Sequence, residues 1–408
     1  MTDSNHSSAD ILTFERILNI PAPEKERRGL TYTPQEIKQQ PSTWLETFQN
    51  LRALQTDLQT FLKDCGLNRA GNDRLIVTLI GAGTSDYIGR AVAALLRKEW
   101  RCHVQTAPST DLITEMDGLV GSVPEGTRHL WISFSRSGDS FEGVNVIQNA
   151  LQKYPDINHL IITCNASGQM ANALADGRPN VFCIALDDKV NDRGLAMTSS
   201  FTNMVVAGQC LAHIWNIDAY QPILESLSAA EANVLPETAE LACRIAEKNH
   251  SRICFLGSGS LKAVGDESAL KVMELTAGHF SVMSESFLGL RHGPLSWLNH
   301  ESLVVGFLSN DVEKVRFELG VLEELNKKSV AGNILAVLPQ RNPAASDFAD
   351  HELILNIPKC LDDKYRPPLD VLFAQCLGLF ASLRRGLKPD APSSDGKIQR
   401  VVSKITYV

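Results

Sequence analysis

From about residue 74 onward, short apolar runs alternate with stretches whose apolar residues recur at helical spacing. RLIVTLIGAG (74–83) reads as a buried strand and turn, and DYIGRAVAALLRKEW as a helix. HVQTAP is a short strand, HLWISFS a strand, SFEGVNVIQNALQKY a helix, and HLIITCN and NVFCIAL two more strands. Strands this continuously apolar, alternating with helices, predict a parallel sheet covered on both faces. Before this region, TWLETFQNLRALQTDLQTFLKDCG has a helical pattern. Residues 1–49 are polar, carry Pro21, Pro23, Pro34 and Pro41, and contain one helix-like piece, ILTFERIL. They read as an arm packed on the body.

The alternation then restarts. GAGTSDYIGRAVA (81–93) aligns without gaps on GSGSLKAVGDESA (257–269) at a constant offset of 176. Gly81, Gly83, Thr84, Gly89 and Ala93 meet Gly257, Gly259, Ser260, Gly265 and Ala269. Each copy follows an apolar strand, so the strand–turn–helix context repeats too. Two α/β domains are expected, at 50–215 and 230–385, joined near SLSAAEANVLPETAE and followed by a tail, 386–408.

Composition narrows the class. The 408 residues are 44% apolar and 21% charged, enough apolar material for two cores. The net charge of −8 and the lack of a basic block argue against a nucleic-acid partner. No apolar run is long enough to span a membrane, and the first residues lack a signal-peptide pattern. Nine cysteines, an odd number with no C-x-x-C pair, fit buried free thiols in a reducing cytoplasm better than disulfides or a metal site.

The turns hold the candidate chemistry. Glycines at 81, 83 and 89 miss the dinucleotide spacing, and no acidic residue ends a strand about twenty positions on, so nicotinamide binding is not expected. A turn with Gly83, Thr84 and Ser85 would instead leave N–H groups facing a small anion or sugar; a bare turn is the plain alternative. SFSRSGDSFEGV (133–144) places Ser135, Ser137 and Ser140 between a strand and a helix. Helix N–H groups and the helix dipole favour an anion there, and three hydroxyls match three phosphate oxygens. Asp139 is expected to cap the helix together with Glu142, its charge turned away. Plain capping would explain the polar residues equally.

In DESALKVMEL, Glu267, Lys271 and Glu274 fall at i, i+4 and i+7, on one helical stripe. A solvated, salt-bridged face is the ordinary meaning of such a stripe. Here the helix starts at a Gly-rich turn, where open α/β sheets bind ligands, and His279, Glu285 and RHGP follow.

SFSRSGDSFEGV, GAGTSDYIG, TCNASG and FTNM together resemble a sugar isomerase (SIS) domain. GDESALKVMELTAGHFSVMSESFLGLRHGPLSWL resembles the isomerase half of glucosamine-6-phosphate synthase. NDRGLAMTSSFTNM and LRHGP look typical of the AgaS group of galactosamine-6-phosphate deaminase/isomerases, formerly called tagatose-6-phosphate ketose/aldose isomerases. The likeness covers about residues 50–400.

The resemblance implies two tandem flavodoxin-like SIS domains and no cofactor. It makes Glu274 the base that moves a proton between C2 and C1, a task suited to a carboxylate partly withdrawn from water. It makes His292 the ring opener, reaching the site of a neighbouring subunit, so a homodimer or higher homo-oligomer with shared sites is implied. Lys271 would stabilise oxyanion charge, and the tail would bring Lys404 over the sugar. Arg193 could face the pocket or cap a helix. Thr2 stands where the synthase has its glutaminase cysteine, so ammonia release is expected, with imine hydrolysis placing the protein among hydrolases as well as isomerases. An isomerase without ammonia release and a non-catalytic sensor stay open; Glu274 and His292 argue against the sensor. The residues do not choose galacto over gluco substrate.

Overall fold

The computed structural model describes residues 13–401 apart from 71, 73, 122, 173–176 and 394. Five parallel strands form the first sheet: β1 (Leu75–Gly81), β2 (His103–Pro108), β3 (Arg128–Ser135), β4 (Asn158–Thr163) and β5 (Val181–Ala185), in the order β2-β1-β3-β4-β5. The second sheet holds β6 (Arg252–Gly257), β7 (Ser281–Ser286), β8 (Ser302–Phe307), β9 (Asn333–Leu338) and β10 (His351–Ile354), also parallel, in the order β10-β9-β8-β6-β7. Read from β7, this is the same 2-1-3-4-5 order, the flavodoxin-like winding. The predicted α/β class and tandem parallel sheets are what the chain forms.

The repeat extends to backbone angles. Gly83 (φ 55°, ψ −125°) and Gly259 (φ 58°, ψ −125°) end their turns in a conformation essentially reserved for glycine. A Cβ on Gly81 would lie 2.2 Å from the Ser85 backbone, and one on Gly257 would lie 2.1 Å from the Leu261 backbone. Ser85 and Leu261 keep the offset of 176.

Around the sheets lie, among others, the helices α1 (Gln40–Ala53), α2 (Thr84–Trp100), α3 (Phe141–Lys153), α4 (Ser199–Ala212), α5 (Gln221–Ala246), α6 (Ser260–Leu275), α7 (Val312–Lys328) and α8 (Leu372–Arg384). In α2 the buried Ile88, Ala91, Val92, Leu95 and Leu96 form a stripe of helical period against the sheet. Every residue of α4 is buried, and α8 is buried from Leu372 to Ser382. These helices are apolar all round because they lie inside, and one continuous core contains residues of both sheets. That core presses α6 of the second unit against α2 of the first.

One stretch differs from expectation. Besides α1, the described part of the arm holds helices Phe14–Leu18, Ala22–Arg28 and Thr33–Lys38, where one helix-like piece was expected. Its prolines do not interrupt structure: Pro23, Pro34 and Pro41 sit in first turns, where the missing N–H costs nothing. The segment SLSAAEANVLPETAE, read as a join, lies inside α5, with Pro236 in the helix interior. Among the described residues no helix is long and apolar enough to cross a membrane.

Candidate active site

A cavity of about 330 Å³ opens at the carboxyl ends of β1 and β3, where the strand order reverses direction. Its walls are the β1–α2 turn, the β3–α3 loop, and Leu270 and Glu274 of α6; residues 398–401 form a roof. Gly83, Thr84, Ser85, Ser135, Ser137 and Ser140 all line it. The structure therefore brings together six of the residues singled out as anion ligands. Two helix starts face this space. Gly83 and Ser140 are the N-caps of α2 and α3, and neither supplies a side-chain cap, so the first N–H groups are not consumed by capping side chains.

The serine loop is held in shape by its own hydroxyls. Ser135 Oγ accepts from the Gly138 N–H at 3.1 Å, and Ser137 Oγ accepts from the Asp139 N–H at 3.2 Å. Each hydroxyl keeps its proton for another acceptor. Asp139 does not cap α3, contrary to expectation. Its carboxylate accepts from the Gln169 N–H at 2.9 Å and from Asn165 Nδ2 at 3.4 Å. The charge is turned away from the serines, toward the loop after β4.

From the second unit, α6 delivers a charged stripe that is not a solvated face. Lys271 and Glu267 are completely buried, while the Glu274 side chain keeps 30% exposure and lines the cavity. Lys271 Nζ donates to Glu274 Oε2 at 2.5 Å and to Thr84 Oγ1 at 3.1 Å, and lies 3.3 Å from Glu267 Oε1. One ammonium thus ties the α6 carboxylates to the start of α2. Burial alone would lower the Lys271 pKa, but the flanking Glu267 and Glu274 outweigh it and leave it raised. Burial pushes Glu267 up to about 8, against the pull of Lys271 and with the push of Glu274. Lys271 lies behind Glu274 and does not line the cavity.

Other expected residues lie elsewhere. His292 is exposed, in the turn after Phe287–Leu290, and does not line this cavity. Arg193 points outward to Asp188 at 2.5 Å and is not a wall residue. Lys404 lies outside the described residues; the cation that the described tail brings to the cavity is Arg400. Reading SFSRSGDSFEGV for its hydroxyls passed over Arg136, which is 7% exposed and lines the cavity. An arginine amid serines at a strand end was the available signal.

The second sheet fills the matching place with carboxylates. By strand register Ser133 matches Gly306, so Ser309 stands where the first unit has Arg136; Ser309 Oγ donates to Asp363 Oδ2 and the Asn310 N–H donates to Asp363 Oδ1 at 2.8 Å. Glu318 accepts from the Ser309 N–H at 2.7 Å, and Arg366 pairs with Asp363 at 2.9 Å.

No family model matches the chain. It is 35% identical over 381 residues to the D-galactosamine-6-phosphate deaminase AgaS of Escherichia coli O157:H7, covering 92% of this chain and 95% of that protein. It is 30% identical over 395 residues to the protein of the same name from Shewanella sp. (strain ANA-3), covering 95% and 94%. Among solved structures, the tagatose-6-phosphate ketose/aldose isomerase of Escherichia coli superposes with a TM-score of 0.80 at 31% identity, covering 89% of this chain and 95% of that one. These names describe deaminases and isomerases, and the expectation of a hydrolase is withdrawn on that ground: hydration of an imine is one step of an isomerising deamination and does not define the class. With identity of this level across nine-tenths of both chains, and the same two-sheet architecture, the chain belongs to the AgaS family of sugar isomerase (SIS) proteins.

Proposed function

We propose that the protein converts galactosamine 6-phosphate into tagatose 6-phosphate and ammonium. The observation that carries this is the meeting of Glu274, from the second unit, with the serine loop and two helix starts of the first in one cavity. The substrate named for its AgaS relatives fits such a site, an anion at one end and a carboxylate at the other.

The phosphate sits among Ser135, Ser137, Ser140 and the N–H groups of α2 and α3. In the open-chain sugar, Glu274 takes the proton from C2, the electron pair moves into the C1–C2 bond, and the carbonyl π pair moves to O1. O1 gains a proton, balanced by the one that the nitrogen gives up to solvent when the imine forms, so that the intermediate is an enolamine. The proton returns to C1, leaving C1 as a hydroxymethyl group and an imine at C2. Water adds to C2 and the C–N bond breaks, giving the ketose and ammonia, which leaves as ammonium. Lys271 acts through Glu274, holding its carboxylate in place by the hydrogen bond from Nζ. His292 opens the ring. Because it is exposed and away from its own cavity, a second copy of the chain supplies it, in a homodimer or larger assembly with shared sites. The nine cysteines, an odd number with no C-x-x-C pair, fit work in a reducing cytoplasm.

The test follows ammonia and ketose together from galactosamine 6-phosphate, glucosamine 6-phosphate and their N-acetyl forms. One ammonium per ketose from the galacto substrate is expected, with at least a thousandfold loss in Glu274→Gln, of the order seen when an essential base is removed. Ketose without ammonia would make the protein a plain isomerase. Saturable binding without turnover would make it a sensor.

A further inference from the structure

Arg136 and Arg400 meet over the cavity, one from the serine loop and one from the roof. Arg136 Nη1 donates to the carbonyls of Leu195 at 3.1 Å and Gly194 at 3.5 Å. Its Nη2 donates to the Arg400 carbonyl at 2.6 Å. Arg400 Nε donates to the Asp192 carbonyl at 2.6 Å, and its Nη2 to Asn191 Oδ1. Each of these acceptors is a neutral oxygen. Among the described residues neither guanidinium has a carboxylate within 4 Å, and Arg136 Nε and Arg400 Nη1 carry no protein acceptor.

The acids whose charge reaches these guanidiniums, Asp192, Glu274 and Glu36, are engaged elsewhere, Glu274 with Lys271. Asp192 accepts from the N–H groups of Thr198, Ser199 and Ser200 at 2.8, 3.1 and 2.8 Å, capping α4. Glu36 accepts from the N–H groups of Arg193 and Gly194 at 2.5 and 3.2 Å. Burial, and after it the Arg400 charge, pull the Arg136 pKa down. A guanidinium nevertheless keeps its proton in a protein, so both positive charges remain. Buried charge without a counter-ion is costly, and carbonyl dipoles offset only part of that cost. The cavity is where the missing negative charge can enter.

We propose that Arg136 and Arg400 form a paired-guanidinium subsite for a phosphate monoester dianion, which on binding fastens residues 398–401 over the cavity. The inference rests on the proposed phosphosugar chemistry only for the ligand's identity. It divides the anion's recognition in two. The serines and helix starts supply neutral donors that fix its position, and the arginines supply the charge that neutralises it. A purely structural fastening of the tail would use the same carbonyl bonds and would be indifferent to phosphate.

Titration calorimetry on the full chain with inorganic phosphate tests this, comparing the parent with Arg136→Gln, Arg400→Gln and the double variant. Each single variant is expected to bind phosphate at least tenfold more weakly. The double variant is expected to lose less than the product of the two, since both charges serve one anion. Phosphate is also expected to slow tryptic cleavage after the exposed Lys397 in the parent but not in Arg136→Gln. Arg400→Gln alters only the terminal segment, outside both sheets, so it keeps the test open if Arg136→Gln folds poorly. Phosphate affinity within twofold of the parent in both single variants, or cleavage indifferent to phosphate in the parent, overturns the proposal. Failure of the deaminase reading shows differently, as no ammonia from a parent protein that still binds phosphate through both arginines.

Discussion

Replacing Glu267 with glutamine makes the protein more stable at neutral and alkaline pH. The Glu267 carboxyl is completely buried on α6, 3.3 Å from Lys271 Nζ. Burial raises its pKa from an ordinary 4.5 to about 8. Between those values the unfolded chain has released the proton and the folded chain has kept it. The unfolded state then binds fewer protons, so stability falls as pH rises through this window and levels off above about 8. At pH 7 the gap spans about 2.5 units, which at about 1.4 kcal/mol per unit gives roughly 3 kcal/mol. That value already contains the pull of Lys271; the cost of burying the amide takes part of the gain, leaving about 1–3 kcal/mol for Glu267→Gln at pH 7. The amide has the same shape and cannot ionise, so the difference vanishes near pH 4.5 and is largest above 8. Thermal melts at pH 5, 7 and 8.5 read it directly, at about 2 °C per kcal/mol for a chain of this size. A variant less stable than the parent at pH 8.5, with the deficit shrinking toward acid, would refute the reasoning and show a stabilising Glu267–Lys271 ion pair.

Two further perturbations separate fold from site. Gly83→Ala and Gly259→Ala each force a Cβ into a backbone conformation reserved for glycine; both are expected to cost about 1–3 kcal/mol, but only Gly83→Ala, at the open cavity, weakens phosphate binding. Equal loss of phosphate affinity in calorimetry of the two variants would contradict the difference drawn between the sheets. On the acid side, burial beside Trp131 lowers the His159 pKa from 6.5 to about 4, and neither ring nitrogen is bonded. The unfolded chain takes up a proton below 6.5 that the fold refuses, so stability falls as pH drops from 6.5 toward 4, and His159→Phe flattens that limb of the melting curve by about 3 kcal/mol. An acid limb unchanged in the variant would remove His159 from the account.

The strands were legible because they are buried on both faces, leaving runs such as HLWISFS almost without polar interruption. The duplication was legible because a strand-to-helix turn this tight admits only glycine at Gly81 and Gly257. Pro23, Pro34 and Pro41 misled because proline punctuates loops and opens helices alike, and the neighbouring residues do not say which. The small and polar residues around Pro236 hid a long helix for the same reason. At the site, the serine loop and the Glu267–Lys271–Glu274 stripe announced themselves through local spacing. Their meeting did not, since Ser135 and Glu274 are far apart in the chain and only the packing of α6 on α2 joins them. Arg136 went unread because its importance lies in what it lacks, a carboxylate, and sequence shows only neighbours along the chain.

The two units began from one pattern and divided the chemistry, and the division has an electrostatic reason. Both sheets end in a loop and a helix start, but the α3 start has no side-chain cap whereas Asp311 caps α7, accepting from the N–H groups of Glu313 and Lys314. In the first unit the loop and helix start face an open cavity walled by hydroxyls. In the second, Asp363 and Glu318 occupy the loop N–H groups of Asn310 and Ser309, and Arg366, buried between Asp363 and Asp370, locks the arrangement. An anion arriving there would meet carboxylates already in place. The second unit was therefore free to place negative charge at its other surface, where Glu274 of α6 enters the first unit's cavity beside Thr84. A single unit holding both the anion site and the base on adjacent loops would set a carboxylate against a phosphate at close range. Splitting them between two sheets, with Lys271 buried at the junction, leaves the Glu274 carboxylate paired with an ammonium rather than set against the proposed phosphate.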